Sequence, residues 1–132
     1  MKITADTNVL LRAYVADDEG QAAVAVDLLA KADIVAVSSQ ALCEFAWVLG
    51  RQYQTTRDDI AAAIRALLDT TNVVVNRPAV EAGLMILEAG GDFADGVIAF
   101  DGGWLGGETF VSFDRKAVKL ISARGASAQL LS

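Results

Sequence analysis

The chain has 132 residues, enough for one compact domain with a real core, and its hydrophobic fraction of 54% is too high for a disordered polypeptide. Its net charge of −6, from 11 Lys+Arg against 17 Asp+Glu, argues against a passive phosphate-coating nucleic-acid binder, which needs a basic face. It contains no histidine, which excludes the usual general base and the commonest metal-binding imidazole.

Lys2–Ala5 reads as a strand, and Thr7 to about Tyr14 as a helix with Val9, Leu10, Ala13 and Tyr14 as its apolar positions. Asp17, Asp18 and Gly20 mark a turn. Glu19 to about Ala32 is helical, with Ala23, Val26, Leu29 and Ala30 on one stripe. Ile34–Val37 is a short continuous apolar run, the pattern of a strand buried on both faces. Ser38 or Ser39 caps a helix to about Tyr53, and Thr56 followed by Asp59 starts another that ends near Asp69. Val73–Val75 is a third strand. Pro78 fits the first turn of a helix that stops at Gly90-Gly91. Asp92 opens a helix through Ala99 or Phe100, and Gly102, Gly103, Gly106 and Gly107 break the pattern around Trp104. Thr109–Phe113 is a fourth strand, Lys116–Ser122 a short helix and Ala128–Leu131 a short last strand.

Strand and helix alternate with no Asn-Gly hairpin signal between strands. That order predicts an α/β fold, a parallel sheet with helices on both faces. In such sheets ligands bind outside the carboxyl ends of the strands, at the switch in strand order. If the first and fourth strands are neighbours, Asp6 and Asp114 meet at that crevice, because each follows a strand's carboxyl end.

Each acid also has a structural reading. Asp6 can cap the first helix, although Thr7 and Asn8 are good caps already. Glu44 lies about one and a half turns into its helix in SSQALCEFAWVLG, either on an exposed face or as a functional acid in an apolar segment. In GDFADGVIAF, Asp92 fits an N-cap and Asp95 the third helical position, where the helix dipole favours acids; Asp95 also fits the inner face beside the crevice. Asp114 can cap the short helix after it. Asn8 and Ser112 are polar groups near the same strand ends, suited to orienting a metal-bound water. Carboxylates gathered in one pocket repel unless a cation sits between them, and hard oxygen ligands suit Mg²⁺ or Mn²⁺. The set Asp6, Glu44, Asp95 and Asp114 therefore points to a divalent-metal site.

The order and spacing of these segments resemble the PIN-domain fold, and within it the VapC-like toxin ribonucleases of type II toxin–antitoxin systems. DTNVLLR at Asp6–Arg12 resembles the family's opening motif, and the Glu44 helix its second. DFADGVIA at Asp92–Ala99 resembles the third, and TFVSFDRKAVKL at Thr109–Leu120 the fourth. The resemblance covers nearly the whole chain and implies a single PIN domain over 1–132 with a parallel sheet of about five strands. It implies a metal-dependent nuclease whose acidic tetrad is Asp6, Glu44, Asp95 and Asp114, with Asn8, Ser112 and Asp92 as secondary positions. The stretch GGWLGG at Gly102–Gly107 departs from the more regular helix and loop of the family.

The resulting expectation is an endoribonuclease that hydrolyses RNA phosphodiester bonds with Mg²⁺ or Mn²⁺ held by those four acids. Arg12 and Arg115, with Lys116 beside them, are candidates to hold the RNA backbone. An aspartyl-phosphate phosphatase would place a second acid two residues after the first, where this chain has Asn8. A receiver-like module would carry its phospho-acceptor after the third strand, where Asn76 stands. A PIN scaffold that has lost activity and only binds partners is the third alternative, and the intact tetrad speaks against it. For a toxin, the resemblance implies a cognate antitoxin protein that inserts a segment into the acidic crevice, and a homodimer. The antitoxin segment suits a basic sequence, and the dimer suits apolar helix surface from the first helices through Trp47. Every apolar stretch is interrupted by Asp, Arg, Glu or Gly, so no membrane span is expected. The N-terminus does not read as a secretory signal, and the lone Cys43 fits a reducing cytoplasm.

Overall fold

A computed structural model describes residues 1–132. The chain falls into two compact units, Met1–Asn76 and Arg77–Ser132.

The first unit runs β1 (Lys2–Thr4), α1 (Thr7–Val15), α2 (Glu19–Lys31), β2 (Ile34–Ala36), α3 (Ser39–Gln52), α4 (Arg57–Leu68) and β3 (Val73–Val74). Its strands form a parallel sheet in the order β1-β2-β3, with Ile3 opposite Val35 and Val35 opposite Val73. Each parallel step needs a long crossover, and the helix pairs α1–α2 and α3–α4 supply it. Val35 on the central strand is fully buried, as are Leu42, Leu49 and Ile64. The expected polar caps form. Asp18 accepts from the Gln21 N–H at 3.0 Å, Ser38 from Ala41 at 3.0 Å and Thr56 from Asp59 at 3.2 Å. Asn72 closes the far end of α2 by donating to the carbonyls of Leu29 and Ala32.

Two expectations for α2 are corrected. Gly20 is not part of a turn but sits in the first helical turn, after the Asp18 cap. The buried stripe is Ala22 and Ala25, whereas Ala23, Val26 and Ala30 are exposed and Leu29 is half-buried. The helix presents its smaller residues to the interior and leaves Val24 and Val26 in solvent.

The second unit runs α5 (Arg77–Glu88), α6 (Phe93–Trp104), β4 (Thr109–Ser112), α7 (Arg115–Ala123) and β5 (Ser127–Leu130). β4 and β5 are parallel, with Phe110 opposite Ala128. Val80, Leu84, Ile86, Phe93 and Ile121 form the core of this unit. The fold is thus α/β with five strands and only parallel ladders, as expected. The strands form a three-stranded and a two-stranded sheet rather than one of five. Within each unit, β1 pairs with β2 and β4 with β5.

The helices α5 and α6 touch at a point with no space for side chains. A Cβ on Gly96 would lie 2.3 Å from the Ala82 carbonyl oxygen and 2.7 Å from the Gly83 Cα. A Cβ on Gly83 would lie 2.6 Å from the Phe93 ring.

The end of α6 also differs from expectation. The helix runs through Gly102 and Gly103 to Trp104. It stops where the Gly106 N–H bonds to the Gly103 carbonyl and the Gly107 N–H to the Gly102 carbonyl, with Gly106 at φ 100°. That pair of bonds is the Schellman stop, in which a left-handed residue after the helix end favours glycine. α5 ends the same way at Gly90-Gly91, as the sequence predicts.

Candidate active site

Asp6 and Glu44 belong to the first unit. Asp6 occupies the N-cap position of α1 with extended backbone, but its side chain makes no capping hydrogen bond. Its backbone carbonyl accepts from Val9 and Leu10, and its carboxylate is exposed. The capping reading of this side chain therefore fails.

Glu44 is exposed on α3, but one of its oxygens is held. Thr7 Oγ1 lies 3.1 Å from Glu44 Oε2 and 3.4 Å from the Ala41 carbonyl oxygen. Thr7 is the one buried polar residue of the chain, at 7% exposure. A buried hydroxyl must find an acceptor or bear its desolvation cost, and this one spans from α1 to α3 to reach Glu44. The sequence presents Thr7 only as a cap. The signal for its role is its place beside Asp6 in a run that otherwise turns apolar. Thr7→Val should destabilise the protein by about 0.5–1.5 kcal/mol and release Glu44, while Thr7→Ser should retain both functions. Thermal unfolding of the two variants measures this; equal melting temperatures would remove the Thr7–Glu44 link.

Asn8 and Arg12 line an open groove between α1 and α2, together with Val9, Val24, Ala25 and Leu28. Arg12 is already engaged: its guanidinium is 3.2 Å from Asp17, which also accepts from the Tyr53 hydroxyl at 3.0 Å. Arg12 can meet a phosphate only by sharing or leaving Asp17.

Asp92, Asp95 and Asp114 belong to the second unit. Asp92 stands at the N-cap of α6 without a side-chain capping bond, so the expected cap is not made. Asp95 lies in the first turn and is half-buried. Its carboxyl is pushed above the ordinary carboxylate range by burial first, then by the negative charges of Asp92 and Asp114. Asp114 does cap α7, accepting from the Ala117 N–H at 3.1 Å through one oxygen. Ser112 Oγ accepts from the Asp114 backbone N–H at 2.9 Å and so fixes the turn that carries this acid. Arg115 and Lys116, the first residues of α7, are exposed.

The structure thus joins Thr7 to Glu44 in one unit, and sets Asp95 among Asp92 and Asp114 in the other. No group of three or more Cys, Asp or Glu side chains is packed closely enough to hold a cation as it stands. The donor chemistry nevertheless fits a hard divalent ion. Every candidate is a carboxylate oxygen, and the negative charges of Asp92 and Asp114, which add to burial in raising Asp95, are a repulsion a cation relieves.

The sequence model of the PIN domain matches residues 3–120. No curated protein matches the chain.

Proposed function

The chain belongs to the PIN domain family, and on that premise we propose that it is a metal-dependent endoribonuclease, the VapC-like toxin of a type II toxin–antitoxin pair. PIN domains are commonly nucleases and typically use Mg²⁺ or Mn²⁺. The observation that carries the reading furthest is Asp95, a half-buried acid raised by burial and by the negative charges of Asp92 and Asp114. The family match crosses both units, which supports reading 1–132 as one PIN domain.

Asp6, Glu44, Asp95 and Asp114 are the proposed ligands. When bound, Mg²⁺ or Mn²⁺ supplies an acidified water and neutralises charge growing on the phosphate. The protein's residues do the rest. Asp6 offers a carboxylate that no helix start consumes. Thr7 aims Glu44. Ser112 fixes the backbone of Asp114, whose second oxygen is left for a ligand by the cap at Ala117. Asn8 and Asp92 are secondary positions for orienting water, and Arg12 and Arg115 hold the RNA backbone. With no imidazole to activate a ribose 2′-hydroxyl, water is the nucleophile and the products carry 5′-phosphates.

The partners that complete this reading are the RNA substrate, a cognate antitoxin with a basic inhibitory segment, and a second copy of the chain. Val24 and Val26, exposed on α2, support an apolar contact for that second copy. No helix is long and apolar enough to cross a membrane. A reducing cytoplasm is the compartment the reading requires, and the single cysteine agrees with it.

The test is RNA cleavage with Mg²⁺ or Mn²⁺, comparing the wild type with Asp6→Ala. Cleavage should vanish in EDTA, return with added metal and be lost in the variant. The fragments should be ligatable without kinase treatment. Cleavage that persists in EDTA, or a 2′,3′-cyclic phosphate at the cut, would exclude this mechanism.

A further inference from the structure

The helix α3 carries a second feature beside Glu44. At 3.6 residues per turn, Gln40, Glu44, Trp47 and Arg51 fall within about 60° of one another on its surface. All four are exposed. The opposite side of the helix holds the buried Ala41, Leu42, Phe45, Ala46 and Leu49. Trp47 is 61% exposed, and the Arg51 guanidinium lies 5.7 Å from the centre of its ring. A large aromatic side chain in water is costly to leave there, and this one is kept in place by a cation over its ring. It stands one turn beyond Glu44, on the same face.

We propose that Trp47 is a base-stacking platform for single-stranded RNA, with Arg51 holding both the indole and the adjoining phosphate. The inference rests on the RNA reading given above and adds to it a residue that binds the substrate. Two observations favour a nucleobase over a protein partner. Glu44 stands one turn from Trp47 on the stripe, and acidic side chains are depleted at protein interfaces. An exposed ring paired with an arginine offers a flat π surface and a positive charge together, the two elements that bind single strands without reading sequence. The site also gives an acidic protein a local cation next to a candidate metal ligand, where the phosphate backbone has to approach. The sequence alone groups Trp47 with the dimer surface. Trp47 lies on α3, whereas Val24 and Val26 lie on α2.

The test uses the 132-residue chain with Trp104→Phe, which leaves Trp47 as its only tryptophan. A single-stranded oligoribonucleotide is titrated in EDTA, and tryptophan emission is read. Cleavage of the same RNA with Mn²⁺ is measured in parallel. RNA should quench Trp47. In the protein with native Trp104, Trp47→Ala should weaken binding, read by fluorescence anisotropy of labelled RNA, by about 5- to 100-fold, the range expected for losing one base–aromatic stack. Trp47→Phe should recover much of the affinity, and Arg51→Gln should reduce both affinity and its salt dependence. Unchanged RNA affinity and KM in Trp47→Ala, with the wild type still cutting RNA, would overturn the platform and leave the nuclease reading intact. A variant that binds RNA normally but loses dimer mass in sedimentation would overturn it in favour of a contact between copies. A wild type that neither binds nor cuts RNA overturns both.

Discussion

Gly96→Ala is expected to unfold or severely weaken the second unit. The added methyl would sit 2.3 Å from the Ala82 carbonyl oxygen and 2.7 Å from the Gly83 Cα. Both are backbone atoms of α5, so no side-chain rotation relieves the clash and the two helices must part. Overpacking typically costs about 1–3 kcal/mol, occasionally more, and here the upper end applies. Alanine's better helix propensity returns only about 1 kcal/mol. A domain with ordinary stability of about 5–15 kcal/mol would lose a large share of it. Gly102→Ala, on the same helix, has nothing within 4 Å of the new methyl. That substitution should raise stability by up to about 1 kcal/mol, through propensity alone. Opposite shifts in melting temperature for the same chemical change on one helix are the expected result. A Gly96→Ala protein that melts with the wild type would remove the close crossing. Because Gly96 follows Asp95 directly, the variant should also lose the proposed nuclease activity, through displacement of the acid.

The glycines show how much of this molecule could be read from sequence. Secondary-structure order was recovered because strand and helix signals are local: an apolar run for β2, Ser38 and Thr56 as caps, Pro78 at the start of α5. A glycine, however, has at least three physical uses with one letter. Gly90 and Gly106 take left-handed backbone and stop helices. Gly83 and Gly96 admit another backbone or ring. Gly102 and Gly103 ride inside α6 with open space where a Cβ would stand. The sequence treats all four of Gly102, Gly103, Gly106 and Gly107 as a break, but only the last two complete the stop. A clue to Gly96 was present: a residue with poor helix propensity stands in the first turn beside an acid, where alanine would serve better unless space forbids it.

The acids divide along the same line. Their positions after strands and at helix starts were visible, because those places follow from secondary structure. What each carboxylate does at its helix start was not. Asp6, Asp92 and Asp114 all occupy N-cap positions, yet only Asp114 caps with its side chain. Side-chain torsion decides that, and no local pattern of residues reports it. The buried stripe of α2 was misplaced by one residue for a related reason. When alanines and valines alternate, hydrophobicity alone does not say which face packs, and the structure places the small residues inside.

Asp95→Asn should give the largest separation between stability and function. Its carboxyl is raised by burial and by Asp92 and Asp114, so the folded protein holds the proton more tightly than the unfolded chain does. A bound proton therefore favours the fold. That contribution is fully present below the unfolded value, near pH 3.9, and is lost as pH rises through the raised folded value. At pH 7 the ionised carboxylate is a liability in the metal-free protein. Asp95→Asn removes it, and the melting temperature of the metal-free variant should exceed that of the wild type at pH 7. The advantage should shrink at pH 3, where both side chains are neutral. The proposed nuclease activity should fall by more than about 100-fold if Asp95 is a ligand, beyond the 10–100-fold typical of groups that merely support a metal ligand. In the wild type at pH below the raised value, Mn²⁺ must displace the proton that Asp95 holds. Affinity should then rise with pH through the raised value, and calorimetry in buffers of different ionisation enthalpy should register protons released on binding. A metal-free variant that melts below the wild type at pH 7 would show that Asp95 holds the fold together, and that its charge is already balanced by something other than a cation.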